Sequence, residues 1–450
     1  MAVWRCCLQD NRGDHKALVH ASQKEGDPLC RVPVKEKIRK IPLMFALGEL
    51  GRLGLLFFAL TAPLSKSISA ILMGIVGVFF LIVLLRRPKG LAFLLRDPVF
   101  WATASFTSVY LLGLLWSEDL AAGLKISRRI SYILGSYVLC ALFLKGAEDG
   151  LRMVKVLVLG TVLLDILAVG KFLGFGSQRA FTLPSAVIMN PIWFGNVSAV
   201  ALYGSLFLFL HHLEGKGKVS YLWGISALIN LMGVLLSNSR GPYGAAAVVL
   251  LLFLFPILWR QRMGKAILAL CLALLVLLPL HPRFQRKLWI VGREVKAFLS
   301  EGKLRGSMGR RLGMWKLSLD MFLDHPIIGV GTGDYELEVE RRTVGEWALL
   351  RKYNQPHSIY FHALAMQGLL GIVALLSFFA VIVRESLRQM REGGLGRILG
   401  LFALAVSMHY LIAGLSEAVL KIHVLVVMLG IVVGACFSWR RGFVKSLGDV

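Results

Sequence analysis

"LLFFALTAPLSKSISAILMGIVGVFFLIVLLRRPKG", residues 55–90, holds two apolar runs, a short turn between them and a basic cluster at the end. A hydrocarbon core about 30 Å thick takes about 20 residues of helix to cross. Followed outward, the two runs extend over 42–64 and 68–86, which is that length. The same pattern recurs at 98–116, 129–145, 152–173, 194–212, 219–236, 243–260, 264–282, 357–382, 398–416 and 419–437. The chain is 56% hydrophobic over 450 residues, with a mean hydropathy of +0.69, too apolar for a soluble protein. The expected fold is an all-α polytopic membrane protein of about twelve transmembrane helices.

The expected layout is a cytoplasmic tail at 1–40, spans one to nine within 41–282, a loop subdomain at 283–356, spans ten to twelve within 357–437, and a second tail at 438–450. The first tail is polar and contains no apolar stretch of signal-peptide type, so span one is expected to act as an uncleaved anchor. Cys6, Cys7 and Cys30 lie in that tail and Cys140, Cys271 and Cys436 in spans. None lies in an outside connection, so no disulfide framework is implied. No CxxC pair or His/Cys cluster points to a metal.

A formal charge of +25 raises nucleic acid as a partner, but the placement of the charges argues against it. With the N-terminus inside, the short inside connections include "RRPKG" (86–90), "KGAEDGLRMVK" (145–155) and "RESLRQMREGG" (384–394). These are rich in Lys and Arg, as the positive-inside bias requires. Most of the basicity therefore reports topology, and no nucleic-acid partner is expected.

Arginines outside that pattern carry more information. Arg179 lies in an outside connection, Arg240 in the tight turn "LLSNSRGPYG", and Arg310 and Arg311 in the long basic segment after span nine. Guanidinium groups match phosphate oxygens in pairs of hydrogen bonds. Their convergence near a membrane surface suggests a phosphate or pyrophosphate ligand; anchoring to phospholipid headgroups and plain salt bridges are the alternatives.

Residues 283–356 form the one sizeable polar segment between spans. Leu288, Val291, Val295 and Leu299 recur at helical spacing, which predicts an amphipathic helix lying on the bilayer. Leu312, Trp315, Leu319 and Phe322 repeat the pattern before Pro326, where "IIGVGTGDYE" opens a glycine-rich turn. No strand precedes that turn and no Lys-Ser/Thr follows, so it is not a nucleotide loop. "SEDLAAGLKISRRI" (117–130) is either a second interfacial helix or a surface-lying connector. His357 stands where the segment meets span ten, a proton carrier by chemistry or an interfacial residue by position. His281, His325 and His362 are the other outside candidates. Glu49 and Arg52, three residues apart in span one, are expected to pair. Asp165 lies mid-span, as a functional carboxylate or a hydrogen-bond partner for a neighbouring helix.

The motifs "SNSRGPYGA" (237–245), "GRRLGMWKLSLDMFLDHPIIGVGTGDY" (309–335) and "PHSIYFHALAMQGLLG" (356–371), and more loosely "RAFTLPSAVIMNPIWFGN" (179–196), resemble in order and spacing those of the O-antigen ligase and polymerase superfamily. Ser358 departs from the pattern, standing where the family often has Asn. The resemblance implies a membrane glycosyltransferase of the bacterial inner membrane, with a helical periplasmic subdomain between spans nine and ten and an active site facing the periplasm. Such enzymes move a glycan from undecaprenyl pyrophosphate to an acceptor hydroxyl, without metal, nucleotide or other cofactor.

For a ligase the acceptor is lipid A-core; for a polymerase it is a second lipid-linked repeat unit. Such a reaction needs a base for the attacking hydroxyl and positive charge for the leaving pyrophosphate. His357 matches the first need, and Arg240, Arg311, Arg179 and Arg310 the second. The expected function is O-antigen ligation, with polymerase as the alternative. A lipid-linked oligosaccharide flippase is the rival from another class, but no internal repeat of spans supports a transporter.

Overall fold

The computed structural model describes residues 34–86, 88–175, 190–214, 220–259 and 282–441. Helix α1 spans Val34–Thr61. The chain divides into two compact units, Met1–Ala46 and Leu47–Val450. Within the second unit the helices are α2 (Lys66–Arg86), α3 (Pro98–Leu112), α4 (Leu120–Phe143), α5 (Ala147–Phe175), α6 (Pro191–Glu214), α7 (Ser220–Leu236) and α8 (Arg240–Trp259). They continue with α9 (Pro282–Glu301), α10 (Gly306–Asp324), α11 (Tyr335–Arg342), α12 (Ile359–Glu392), α13 (Gly394–Ala413) and α14 (His423–Phe437). Among the described residues there is no strand. Helices α2, α4, α5, α6, α12 and α13 are long and apolar enough to cross a membrane, and α3, α7, α8 and α14 are shorter apolar helices. These ten helices stand against twelve expected spans; of the other two, the one expected at 42–64 falls in α1, and the one at 264–282 lies outside the described residues but for Pro282.

Local chemistry sets several helix starts. Asp97 caps α3, accepting from Val99 N at 2.8 Å, with Pro98 following it. Short acceptor side chains at a helix N-cap satisfy otherwise unpaired amides, and proline suits the first turn. Asp119 caps α4 in the same way, accepting from Ala122 N at 2.9 Å. Residues 120–130 are thereby the first turns of a helix that runs on to Phe143, rather than a separate surface connector, and Gly123, Ile126, Ser127 and Ile130 are buried.

Helix α14 is the most enclosed element, with every residue from Val424 to Phe437 buried. Gly430 and Gly434 permit this. A Cβ on Gly430 would lie 2.8 Å from Tyr132 O, and one on Gly434 would lie 2.7 Å from Cys140 Sγ and 3.0 Å from Ser136 O. Small residues four apart let membrane helices touch backbone to backbone. At the other end of α4, Arg52 pairs with Glu49, as expected, and also reaches Asp149 at 3.4 Å, while Lys145 reaches Glu49 at 2.5 Å. Asp165 is buried and accepts from Ser198 Oγ at 2.7 Å.

Helix α12 is not continuous. Gly368 takes φ 61°, ψ −146° and breaks it. Residues 326–331 fill the break: Val330 N and Gly331 N donate to Ala365 O and Met366 O (3.0 and 3.1 Å), and Leu369 N and Leu370 N donate to Pro326 O and Ile327 O (2.8 and 3.1 Å). Irregular backbone at membrane depth is tolerated where protein satisfies its polar groups. The approach requires glycine on both sides. A Cβ on Gly329 would sit 2.4 Å from Met366 C, and one on Gly368 would sit 2.6 Å from Ile327 C. Ile327, Ile328, Leu369 and Leu370 around this junction stay exposed, as lipid-facing side chains would.

The same loop is held from a third direction. Asp334 accepts from Ser117 Oγ, Glu118 N and Asp119 N at 2.9, 2.9 and 2.7 Å, and Thr332 Oγ1 donates to Tyr110 O at 2.8 Å. Leu304, Met314, Leu317, Met321, Tyr335, Val339 and Leu350 form one apolar cluster with Ala365 and Met366 of α12. Residues 283–356 therefore share their core with α12. On α9, Leu299 of the predicted apolar face is exposed and Val291 and Val295 are half-buried, while Trp289 and Ile290, outside that face, are exposed as well.

Candidate active site

Four parts of the chain meet around the turn at 414–422: the head of α8, the N-terminal half of α10, the strap 353–358 and the turn itself. The strap brings His357. Helix α12 starts at Ile359, two residues later than expected, because His357 has φ 52°. That left-handed conformation costs an L-residue about 1–2 kcal/mol, so neighbouring contacts must hold it. Trp315 Nε1 donates to Pro356 O at 3.0 Å and Trp315 stacks on Phe361, while Ile359 N donates to Gly414 O at 2.9 Å. Tyr360 OH donates to Leu411 O at 2.8 Å.

This backbone aims the imidazole at Glu417. His357 Nδ1 lies 2.9 Å from Glu417 Oε2, and Gln355 Nε2 donates to Glu417 Oε1 at 2.6 Å. The Glu417 side chain is 4% exposed, against 22% for His357. A carboxylate can only accept, so it fixes the Nδ1–H tautomer and leaves the Nε2 lone pair outward. Among the described residues Nε2 has no partner. Tyr353 meets the imidazole edge-on, with ring centroids 5.7 Å apart.

Arginine supplies the charge. Arg311 Nη1 donates to Ser416 O at 2.7 Å, which leaves most of its five donors free. Desolvation pulls its guanidinium below the usual range; Glu417 and Tyr353 act in the opposite direction, while Arg240 adds to the lowering. Arg240 is exposed and is the first residue of α8. Asn238, at φ 46°, makes the tight reversal before it, a backbone state that Asn tolerates. A Cβ on Gly241 would lie 3.1 Å from Ser416 Oγ, so the head of α8 packs against the turn that Arg311 grips. The positive end of the α8 dipole adds to the two guanidiniums.

His357, Arg240 and Arg311 thus come together. Arg310 does not join them: it is half-buried and makes no ion pair or hydrogen bond among the described residues, because adjacent helical residues point about 100° apart. Arg179 lies outside the described residues, as does His281. His325 is exposed at the C-terminal end of α10, and His362 is buried beside Tyr335 at 6.1 Å between ring centroids. Ser358, where Asn was expected, is buried, and its carbonyl accepts from His362 N at 3.1 Å. Among the described residues no group of three His, Cys, Asp or Glu could hold a metal ion.

Sequence reasoning missed Glu417, Gln355 and Tyr353. The available signal was a single acid in "GLSEAVLK", a short outside connection with no other carboxylate. Residues 225–376 match a protein-family model described as O-antigen ligase. No curated protein matches the chain. The matched stretch runs from α7 through the break in α12 and contains Arg240, Arg311 and His357, and its similarity supports the O-antigen ligase and polymerase superfamily.

Proposed function

We propose that the protein is an O-antigen ligase of the bacterial inner membrane. It moves a glycan from undecaprenyl pyrophosphate to a hydroxyl of lipid A-core on the periplasmic side. The observation that carries the proposal is the Glu417–His357 pair at 2.9 Å, with Nε2 unpartnered among the described residues and Arg311 and Arg240 beside it. The Nε2 lone pair takes the acceptor proton as the hydroxyl oxygen attacks the anomeric carbon. The bond from that carbon to the pyrophosphate oxygen breaks, and its electron pair leaves with undecaprenyl pyrophosphate. Glu417 stabilises the imidazolium that forms. Arg240 and Arg311 offset the charge that grows on the leaving group.

Single-turnover assays with purified protein test these roles. His357→Ala should cut turnover by about 10²–10⁴-fold, the usual range for general-base catalysis, with donor affinity nearly unchanged. Arg240→Ala and Arg311→Ala should weaken donor and undecaprenyl pyrophosphate binding, with partial rescue by Lys, which lacks the paired donors. Normal turnover by His357→Ala ends the proposal. Polymerase chemistry would use the same groups, so a deletion strain identifies the acceptor. Full-length lipid-linked chains with bare lipid A-core mean ligase, and a single attached repeat means polymerase.

A further inference from the structure

Beside this site lies a second concentration of positive charge that the proposed reaction does not use. Lys66 begins α2, Lys125, Arg128 and Arg129 lie on the first turns of α4, and Lys421 lies near the end of the turn that carries Glu417, with the His423 ring at the start of α14 beside them. They are joined through the chain itself. Arg129 Nη1 donates to Lys421 O at 2.8 Å, and Lys421 Nζ donates to Asn354 O, next to the Gln355 that holds Glu417. Tyr132 meets the His423 ring edge-on at 5.0 Å.

The cluster has almost no counter-charge. Arg129, Arg128 and Lys125 all repel the Lys66 ammonium. Arg129 and Lys125 repel Lys421, and Glu336 is the acid that attracts it. Among the described residues none of Lys66, Lys125, Arg128, Arg129 and Lys421 makes an ion pair with a carboxylate. His423 Nε2 is buried with no hydrogen-bond partner among them. Like charges gathered in a partly desolvated site raise the free energy of the unliganded protein, and an anion relieves it. Lys66, Lys125 and Arg128 are exposed while Arg129, Lys421 and His423 are half-buried, so the group opens outward.

We infer that Lys66, Lys125, Arg128, Arg129, Lys421 and His423 form a second anion site that holds a phosphate of the lipid-borne acceptor while its hydroxyl faces His357. The inference rests on the proposed transferase reading and adds that the acceptor is a phosphorylated saccharide lipid. The turn 414–422 serves both sites, with Ser416 and Glu417 at the base and Lys421 at the phosphate. Seating the acceptor phosphate therefore acts on the same short stretch of backbone that holds the catalytic pair.

The test is equilibrium binding of phosphorylated and enzymatically dephosphorylated lipid A to the full chain in phosphatidylcholine nanodiscs. Lys125→Gln with Arg128→Gln is the first variant, since both side chains are exposed, and Lys421→Met is the second. The native chain should bind the phosphorylated form at least tenfold tighter, and each variant should erase most of that difference without changing affinity for undecaprenyl pyrophosphate. Equal binding of both lipids by the native chain overturns the inference. Retained discrimination in both variants overturns it too, by placing the phosphate elsewhere. Competition by phosphatidylglycerol as effective as that by phosphorylated lipid A would reduce the cluster to a headgroup anchor. Binding is read without turnover, so a failed transfer assay and a failed phosphate site remain distinguishable.

Discussion

Glu417 shows how much one side chain can decide. It is buried and bridges Gln355 and His357. Replacing it by Gln keeps the shape, but the amide can donate to Nδ1 and so favours the tautomer with a proton on Nε2. We expect Glu417→Gln to lower single-turnover rates about as severely as His357→Ala, within a factor of about ten, with donor affinity held. A Glu417→Gln enzyme at native rate would show that the carboxylate only buttresses the turn. Nothing local in the sequence announces this pair, since its partners are separated by 60 positions. Arg240, Arg311 and His357 were legible because each breaks a rule of membrane topology or stands in a recognisable motif; Glu417 breaks none. Lys421 gives a pH dependence. Its ammonium is pushed down to about 8, first by desolvation and then by Arg129 and Lys125, against the pull of Glu336. Its charge is therefore complete well below that value and lost as pH rises through it. Affinity for phosphorylated lipid A should fall between about pH 7 and pH 9, and Lys421→Met should flatten that part of the profile.

At the scale of elements, the apolar helices were legible and their interruptions were not. "HALAMQGLLGIVALL" reads as unbroken apolar helix, since an isolated glycine inside a helical pattern is tolerated. The break at Gly368 exists because residues 326–331 supply the hydrogen bonds that the helix gives up there, which no periodicity reveals. The continuity of 120–130 with the span expected from 129 was missed for a related reason: its charged turns read as a separate interfacial helix or connector until Asp119 is seen capping one helix that runs to Phe143. Glycine substitutions separate these cases. Gly368→Ala sets a Cβ 2.6 Å from Ile327 C and 2.7 Å from Gly329 N at a φ of 61°, and should abolish stable protein or sharply lower the melting temperature in detergent. Gly292→Ala, in the interior of α9 with nothing within 4 Å of its Cβ, should leave that temperature unchanged or raise it, because alanine stabilises a helix interior by about 0.5–1 kcal/mol over glycine. A stable, active Gly368→Ala protein would mean the loop does not enter the helix.

For the whole molecule, the orientation makes a direct prediction. Val344 is 79% exposed, and a cysteine there should label with an impermeant maleimide in intact spheroplasts. Cysteines at the exposed positions Glu148 and Arg391 should label only after permeabilisation. The reverse pattern would put the site on the cytoplasmic side and remove its substrates. The joint between residues 326–331 and α12 also bears on how such a chain is made. The loop leaves the ribosome before the helix that receives it, and α12 cannot hand its broken turn to lipid until Val330 and Gly331 have found Ala365 and Met366. In the proposed orientation synthesis would impose an order: the loop would wait at the outer surface until helix and loop enter the bilayer as one hairpin. In ribosome-stalled chains, protease resistance at 326–331 should arise abruptly once α12 has emerged, and chains stopped earlier should leave that loop open to cleavage.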